Sequence, residues 1–299
     1  MYQIWILSAA VLALLAMVFQ LRRSSRKAWM ALPVTALAAA IGLAGSKVLY
    51  VILFPGSTLL LDGLESLFSL KRGTFSLFGA MAGAMAGAWL AARLLKLKPV
   101  AVMDLFVPCC AFALAVLRAG ELELGTIGVG GYVDPSSPFA RFPFAVTNTY
   151  GEHLYAVFYL EALFALLCGL LLFTAGRKWP ESTVTELGWA LLALPQIYCE
   201  SLRARCMKWG FVRVEQLLCG LLVLALIAYA CYRLGSAQKR RYWPVLWAAL
   251  CIGGMALIEF ALDKSNLPVW VCYGMMWVCL AGLTIIEITT VRKRFSAKN

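Results

Sequence analysis

The chain has 299 residues, of which 62% are hydrophobic and 14% charged, and its mean hydropathy is +0.81. A water-soluble domain of this length would not carry so many apolar runs, so the composition excludes that class. The formal net charge of +12 requires no nucleic-acid partner, because most of the basic residues collect in short segments between the apolar runs.

Nine apolar runs follow one another along the chain, and the sixth is the shortest. The first is followed, not preceded, by a basic cluster, so we interpret it as a membrane anchor instead of a secretory signal. Runs of this length predict an all-α polytopic membrane protein. They cover about 3–21, 29–54, 75–94, 99–117, 153–173, 187–200, 214–234, 245–262 and 269–290.

The basic segments predict the orientation in the membrane. If the helices alternate, more than half of the Lys and Arg residues fall on one side, which the positive-inside rule assigns to the cytoplasm. The N-terminus is then outside and the C-terminus inside. These segments are 22–27, 93–98, 176–178, 232–241 and 291–295.

Two longer segments fall on the outer side under this topology, at about 55–74 and 118–152. The second is rich in Gly, Pro and Ser, which predicts a turn-rich loop. A loop of this length is often functional. Elsewhere, Gly79, Gly83 and Gly87 lie four residues apart on one helix face, and we expect them to allow close helix packing.

Polar side chains at membrane depth are costly and usually face a bundle interior or a polar cavity. Those of this chain fall mostly in the outer half of the membrane. We expect Glu161, eight residues into the fifth helix, to line such a cavity, and His153 to begin that helix. The set comprises Lys47, Tyr50, Arg118, His153, Glu161, Gln196, Glu200 and Arg203.

Three acidic residues have simpler interpretations. Asp104, near the inner start of the fourth helix, could pair with a basic residue of 93–98 (Arg93, Lys96 or Lys98). Glu259 and Glu287 lie near helix ends, where a charged group reaches the membrane rim. The ten cysteines contain no C-x-x-C pair, so we expect no disulfide framework, no metal site and no cofactor.

Seven segments along the chain carry motifs in a defined order. The segments are GLAGSKVLYVILF (42–54), GTFSLFGAMAG (73–83), DLFVPCCAFALAVLRAGE (104–121), VDPSSPFARFPFAV (133–146), HLYAVFYLEAL (153–163), QIYCESLR (196–203) and RVEQLL (213–218). In order and spacing, over about residues 29–234, they resemble the bacterial prolipoprotein diacylglyceryl transferase family.

The chain departs from the family pattern at several motif positions. Lys47 stands where an arginine is usual, and Phe78 takes the place of the histidine in S-F-H-G. Gln196 replaces the first arginine of R-x-x-x-E-x-x-R, whereas Glu200 and Arg203 match that motif.

The family signature G-R-x-G-N-F-x-N-x-E falls at the end of the fourth helix. Arg118 and Gly120 match it, but Glu121 replaces the first asparagine, and Leu124 and Thr126 stand at the later Asn and Glu positions. The resemblance therefore implies a divergent member of the family.

The resemblance implies a seven-helix core at 1–235 and, beyond it, two additional transmembrane helices with a basic cytoplasmic tail at 236–299. It implies a multi-pass protein of the bacterial cytoplasmic membrane, with its active region facing the outer leaflet. The implied reaction moves a diacylglyceryl group from phosphatidylglycerol to the lipobox cysteine of a prolipoprotein signal peptide and releases glycerol 1-phosphate. Membrane lipids are the other expected partners.

The resemblance also implies roles for individual residues. Arg118 would bind the phosphate, because the guanidinium fork suits this anion. The base that deprotonates the thiol could be Glu121, Glu123 or His153. The implied catalytic residues are Arg118, Glu121, His153 and Glu200, and the implied substrate-binding residues are Lys47, Tyr50, Gly120, Tyr155, Glu161, Gln196 and Arg203. The alternative is a lipid-binding membrane protein that is not catalytic or uses another substrate.

Overall fold

The computed structural model describes residues 2–53, 75–124, 128–204, 206, 208–209, 212–234, 242–265 and 267–296. The predicted outer segment at 55–74 and motif residue Thr126 lie outside this part of the chain. Nine α-helices occur within it. They are α1 (Tyr2–Arg23), α2 (Ala31–Leu53), α3 (Leu77–Leu94), α4 (Pro99–Ala119), α5 (Val157–Ala175), α6 (Thr183–Leu202), α7 (Val214–Arg233), α8 (Trp243–Lys264) and α9 (Val269–Ser296).

Eight of these described helices are long and apolar enough to cross a membrane, which makes the chain a multi-pass membrane protein. The predicted all-helical architecture is thus confirmed. The exception is α6, which forms a helix where a span at 187–200 was predicted but is not among the eight. It carries Glu186, Gln196 and Glu200, and these polar groups lower its hydropathy. The N-out topology stays a prediction.

The chain between α4 and α5 is more ordered and longer than the sequence predicted. Residues 145–147 form strand β1 (Ala145–Thr147), which pairs antiparallel with β2 (His153–Tyr155). Because 153–155 are strand, α5 begins at Val157 and not at His153. The prediction that His153 starts the fifth helix is therefore wrong. A second short hairpin joins β3 (Lys208–Trp209) to β4 (Val212–Arg213).

The chain divides into two compact units, Met1–Thr185 and Glu186–Asn299. In the first, α4 packs against α1 and α5, and α2 packs against α3. In the second, α7, α8 and α9 pack against one another. The predicted boundary at 235/236 separates a transferase core from additional helices by function, and it stays a prediction.

Glycines bring α2 and α3 into backbone contact. A Cβ added to Gly79 would lie 2.5 Å from the carbonyl oxygen of Gly45, and one added to Gly87 would lie 2.5 Å from that of Leu37. A Cβ at Gly83 would overlap the carbonyl oxygen of Ile41. No larger residue fits at this separation. The predicted packing role of the glycine face is confirmed.

Candidate functional site

A buried cluster of three charged side chains lies in the first unit, and we call it the Arg118 cluster. Arg118 Nε lies 2.6 Å from Glu161 Oε2, and Arg118 Nη1 pairs with Glu121 Oε1. The three residues are 5–7% exposed. The structure therefore joins the signature arginine to two of the other residues predicted from sequence.

Local sequence explains how these groups meet. Arg118 lies in the last turn of α4, where a cation interacts favourably with the negative end of the helix dipole. The chain then tightens into a 3-10 turn, Gly120–Leu124, which brings Glu121 onto the same side three residues later. Glu161 approaches from α5 as its fifth residue, about 6 Å along the helix at 1.5 Å per residue. It is therefore closer to the start of its helix than the eight residues predicted.

At two positions the backbone passes so close to other groups around the cluster that a glycine is required. A Cβ on Gly120 would lie 2.5 Å from the ring of Trp5 on α1, so only glycine fits at this signature position. Gly128 has a φ of +81°, which favours glycine, and a Cβ there would overlap Glu121 Oε2. The Gly128 carbonyl accepts a hydrogen bond from the backbone N–H of Phe158 at 3.1 Å, which ties the loop to α5.

The charge balance limits what the Arg118 cluster can bind. One guanidinium faces two carboxylates, so the three side chains carry one negative charge when both acids are ionised. An incoming phosphate would add a third anion around one cation. Three anions in a site of low dielectric are unfavourable, and the usual relief is protonation of one carboxyl group. The negative charge of these three side chains therefore opposes the binding of a further anion.

The other residues predicted in the first unit are spread over several elements. Lys47 of α2 is 6% exposed, and its Nζ lies 4.3 Å from the centre of the Phe75 ring, a cation–π contact. Tyr50 is partly buried on the same helix, and Tyr155 lies on β2 with its side chain 42% exposed.

The three candidate bases have different surroundings. Glu121 contacts Arg118 and is buried, and Glu123 is partly buried in the same 3-10 turn. His153 lies on β2, where its Nδ1 is 3.2 Å from Thr147 Oγ1 on the facing strand. Among them, Glu121 is the one whose described contacts include the signature arginine.

Asp104 joins α4 to the residues at the start of α6. Its Oδ2 accepts a hydrogen bond from the Ser182 N–H at 2.7 Å, and its Oδ1 accepts from the Thr185 N–H at 2.9 Å and hydroxyl at 2.5 Å. The first N–H groups of a helix have no intrahelical acceptor, and an acidic group there stabilises the helix. The role of Asp104 as a helix cap was not predicted, and its pairing with a basic residue of 93–98 stays a prediction.

The second unit contains the other motif residues. Glu200, near the C-terminal end of α6, is 3% exposed. Its Oε2 accepts a hydrogen bond from Gln196 Nε2 at 3.3 Å and lies 3.8 Å from Arg203 Nε. The predicted helical spacing thus does place Gln196, Glu200 and Arg203 together.

A second ion pair adjoins this motif, and the sequence predicted neither this contact nor a site role for its residues. Arg213 Nε lies 2.6 Å from Glu259 Oε1, and Ser201 donates a hydrogen bond to Glu259 Oε2 at 2.7 Å. The Glu259 side chain is 12% exposed, and Glu287 is 2% exposed, so both carboxylates are buried among protein groups. The interpretation of both as membrane-rim residues stays a prediction. The Ser201 hydroxyl, the Arg213 guanidinium and the Glu259 carboxylate come from different elements of the chain. No local sequence pattern therefore predicts that they form a network.

Cys206 lies beside this network. Burial raises the pKa of its thiol above the ordinary value, and the nearby Arg213 guanidinium opposes that effect. Arg213 Nη1 donates a hydrogen bond to Cys206 Sγ at 3.2 Å. The thiol is therefore protonated at neutral pH and held against the guanidinium.

Comparisons with known proteins identify the family. The family model described as prolipoprotein diacylglyceryl transferase matches residues 1–232. Two strains of Clostridium kluyveri have a protein named phosphatidylglycerol–prolipoprotein diacylglyceryl transferase, to which the chain is 24% identical over 184 residues. That alignment covers 60% of this chain and 71% of each relative. The chain belongs to the prolipoprotein diacylglyceryl transferase family.

Proposed function

We propose that the protein transfers the diacylglyceryl group of phosphatidylglycerol to the lipobox cysteine of a prolipoprotein signal peptide. The observation that carries the proposal is the family match over residues 1–232, with Arg118 buried at the signature position. The names of the clostridial relatives, which specify both substrates, support the same pair here. The reaction takes place at the outer leaflet of the bacterial cytoplasmic membrane, where lipid and lipoprotein meet.

The reaction is a substitution at carbon. The cysteine sulfur attacks the glyceryl carbon that carries the phosphate ester, a carbon–sulfur bond forms, and the carbon–oxygen bond breaks. The electron pair leaves with the phosphate oxygen, so glycerol 1-phosphate is released. Since the thiolate is the nucleophile, a base must take the thiol proton.

The Arg118 cluster supplies both of the groups that this chemistry requires. The guanidinium has five N–H donors in a planar fork, and it would hold the phosphate while negative charge develops on the leaving oxygen. We assign Glu121 as the base, because it contacts Arg118. Taking the thiol proton neutralises Glu121, and this removes one of the three anions around the guanidinium. Glu161 keeps the guanidinium oriented throughout.

The remaining predicted residues keep their proposed roles. Lys47, Tyr50, Gly120 and Tyr155 of the first unit bind the lipid or peptide. In the second unit, Gln196 and Arg203 bind substrate, and Glu200, predicted to be catalytic, orients Arg203. His153 and Glu123 are the other candidate bases. Each of these assignments is tested by the same substitution experiment.

The test uses purified protein in phosphatidylglycerol vesicles with a lipobox peptide and labelled diacylglyceryl groups. Arg118→Gln and Glu121→Gln should each lower the rate of transfer per folded molecule by at least about 100-fold, as expected for loss of anion stabilisation or of a base. Glu152→Gln is the matched control, because Glu152 is an exposed acid on the same outer loop that bonds Asn148. Equal rates in all four proteins would refute the assignment.

A second candidate function is lipid binding without this transfer. Glu121 favours it, since an acid pairs with Arg118 where the family signature has asparagine, and so does Phe78 in place of the motif histidine. Glu121→Asn separates the two candidates. If Glu121 is the base, the variant loses transfer. If Glu121 only blocks the anion site, the wild type binds phosphatidylglycerol without transferring it, and the variant binds more tightly.

A further inference from the structure

Glu259 of α8 uses both of its carboxylate oxygens within the second unit. Oε1 lies 2.6 Å from Arg213 Nε, and Oε2 accepts the Ser201 hydroxyl at 2.7 Å. The Arg213 and Glu259 side chains are 11% and 12% exposed. Glu259 therefore connects two separate segments, the C-terminal turn of α6 through Ser201 and strand β4 through Arg213.

Arg213 in turn binds the backbone at the end of α6. Its Nη1 donates hydrogen bonds to the carbonyl oxygens of Glu200 and of Arg203, the latter at 2.9 Å. The last carbonyl groups of a helix lack intrahelical donors, and a cation there also complements the helix dipole. Arg213 thus fixes the backbone of both motif residues.

The same segment is held by a second contact. Tyr198, two residues before Glu200, packs its ring against Tyr273 and Trp277 of α9, with centroid distances of 5.8 Å and 4.9 Å. Ser201 also lies 3.8 Å from the sulfur of Met276 on that helix. Helices α8 and α9 therefore both contact the turn of α6 that carries Glu200.

Both helices lie beyond residue 232, where the family match ends. We propose that Glu259 is a positioning residue: through Arg213 and Ser201 it orders the Glu200–Arg203 segment, so that the two additional helices support a site within the family-matched region. The kinetic part of this inference rests on the proposed function. Its structural part does not.

Substitution of Glu259 should disturb the end of α6. Removing the Glu259 carboxylate leaves the Arg213 guanidinium buried without its charge partner, and such a group seeks solvent or another anion. The carbonyl oxygens of Glu200 and Arg203 then lose the Arg213 donor, and both residues shift. A displacement of about 1 Å in groups that position a substrate can cost up to about 100-fold in rate.

The experiment compares three variants of the full chain in vesicles. Glu259→Gln keeps the shape of the side chain and removes its charge, and Ser201→Ala removes only the hydroxyl. Glu287→Gln is the matched control, since Glu287 is a buried carboxylate of α9 that lies near Cys231, at the other end of α7 from Arg213. Unfolding curves recorded in detergent give the folded fraction of each variant.

Two quantities are measured for each protein. The first is kcat/KM for diacylglyceryl transfer to a lipobox peptide, per folded molecule. The second is the rate at which a maleimide alkylates Cys206, followed by mass spectrometry of the Cys206 peptide. Cys206 bonds Arg213, so its alkylation reports the order of this segment whether or not the protein is a transferase.

The proposal expects Glu259→Gln to lower kcat/KM by about 10- to 100-fold and to accelerate Cys206 alkylation severalfold. Ser201→Ala should also lower kcat/KM and accelerate Cys206 alkylation, but by smaller factors. Glu287→Gln should leave both quantities at wild-type values. Wild-type values in folded Glu259→Gln would overturn the inference, as would an equal kinetic loss in Glu287→Gln. If the wild type transfers nothing, the proposed function fails, and the alkylation rates alone decide whether Glu259 orders the segment.

Discussion

The Arg118 cluster predicts a strongly non-additive pair of substitutions. One guanidinium is shared by Glu121 and Glu161, so removing either acid leaves the cation paired with the other. In Glu121→Gln or Glu161→Gln the new amide oxygen still accepts a hydrogen bond, and we expect each to lower the free energy of unfolding by about 1 kcal/mol. The double variant removes both carboxylates that contact Arg118 in the described pairs, and we expect a loss of about 3–5 kcal/mol, more than the sum of the single losses.

The coupling energy between the two sites is therefore about 1–3 kcal/mol. It can be measured by equilibrium unfolding in mixed detergent micelles, followed by circular dichroism, for the wild type, both single variants and the double variant. Glu152→Gln provides the control for an exposed acid and should change stability by less than about 0.5 kcal/mol. Additive effects, or a single variant as unstable as the double, would refute the shared pairing.

Three further outcomes follow from the structure. Gly83→Leu should separate α2 from α3, because its Cβ would overlap the Ile41 carbonyl, and thermal unfolding should show a loss of about 1–3 kcal/mol. Asp104→Ala should lower stability by about 1–2 kcal/mol in the same measurement, because the N–H groups of Ser182 and Thr185 lose their acceptor. Cys206 alkylation in the wild type should continue to accelerate above pH 9.0, the ordinary thiol pKa, because burial raises its pKa and the thiolate is the reactive form. A rate that levels off below that pH would contradict the buried position.

Hydropathy located most of the helices because a helix that crosses a membrane needs an apolar run of fixed length. The starts of α4, α7 and α9 were predicted at the residues where they occur. The start of α5 was placed too early, since HLYAV is apolar enough to continue a helix. Residues 153–155 form a strand because they pair with residues 145–147. The hydropathy of 153–155 and their immediate neighbours does not reveal this pairing.

The Arg118 cluster could be predicted only in part. Arg118 and Glu121 are three residues apart at a helix end, and that spacing predicts their contact. Glu161 reaches them from another helix, so its place depends on packing. The sequence suggested a polar surrounding for Glu161 because an isolated carboxylate at membrane depth is costly, but it did not identify the partner.

The Glu259–Arg213 ion pair could not be predicted from the sequence alone. Each residue lies near a helix end, where exposure to the headgroup region is the simplest expectation. Their contact forms only when α8 packs beside the end of α6. The Ser201 hydroxyl then donates a hydrogen bond to the second oxygen of the Glu259 carboxylate. The sequence did not predict the partners of Glu259, because the position of a charge along a helix does not reveal its neighbours.

The most direct test of the proposed function is the product analysis of one reaction. Purified protein in phosphatidylglycerol vesicles is incubated with a lipobox peptide, and the peptide mass and released glycerol 1-phosphate are measured together. We expect one diacylglyceryl thioether per modified cysteine, an equal amount of glycerol 1-phosphate, and neither product with Arg118→Gln. Bound phosphatidylglycerol with an unmodified peptide and no glycerol 1-phosphate in the wild type would contradict it.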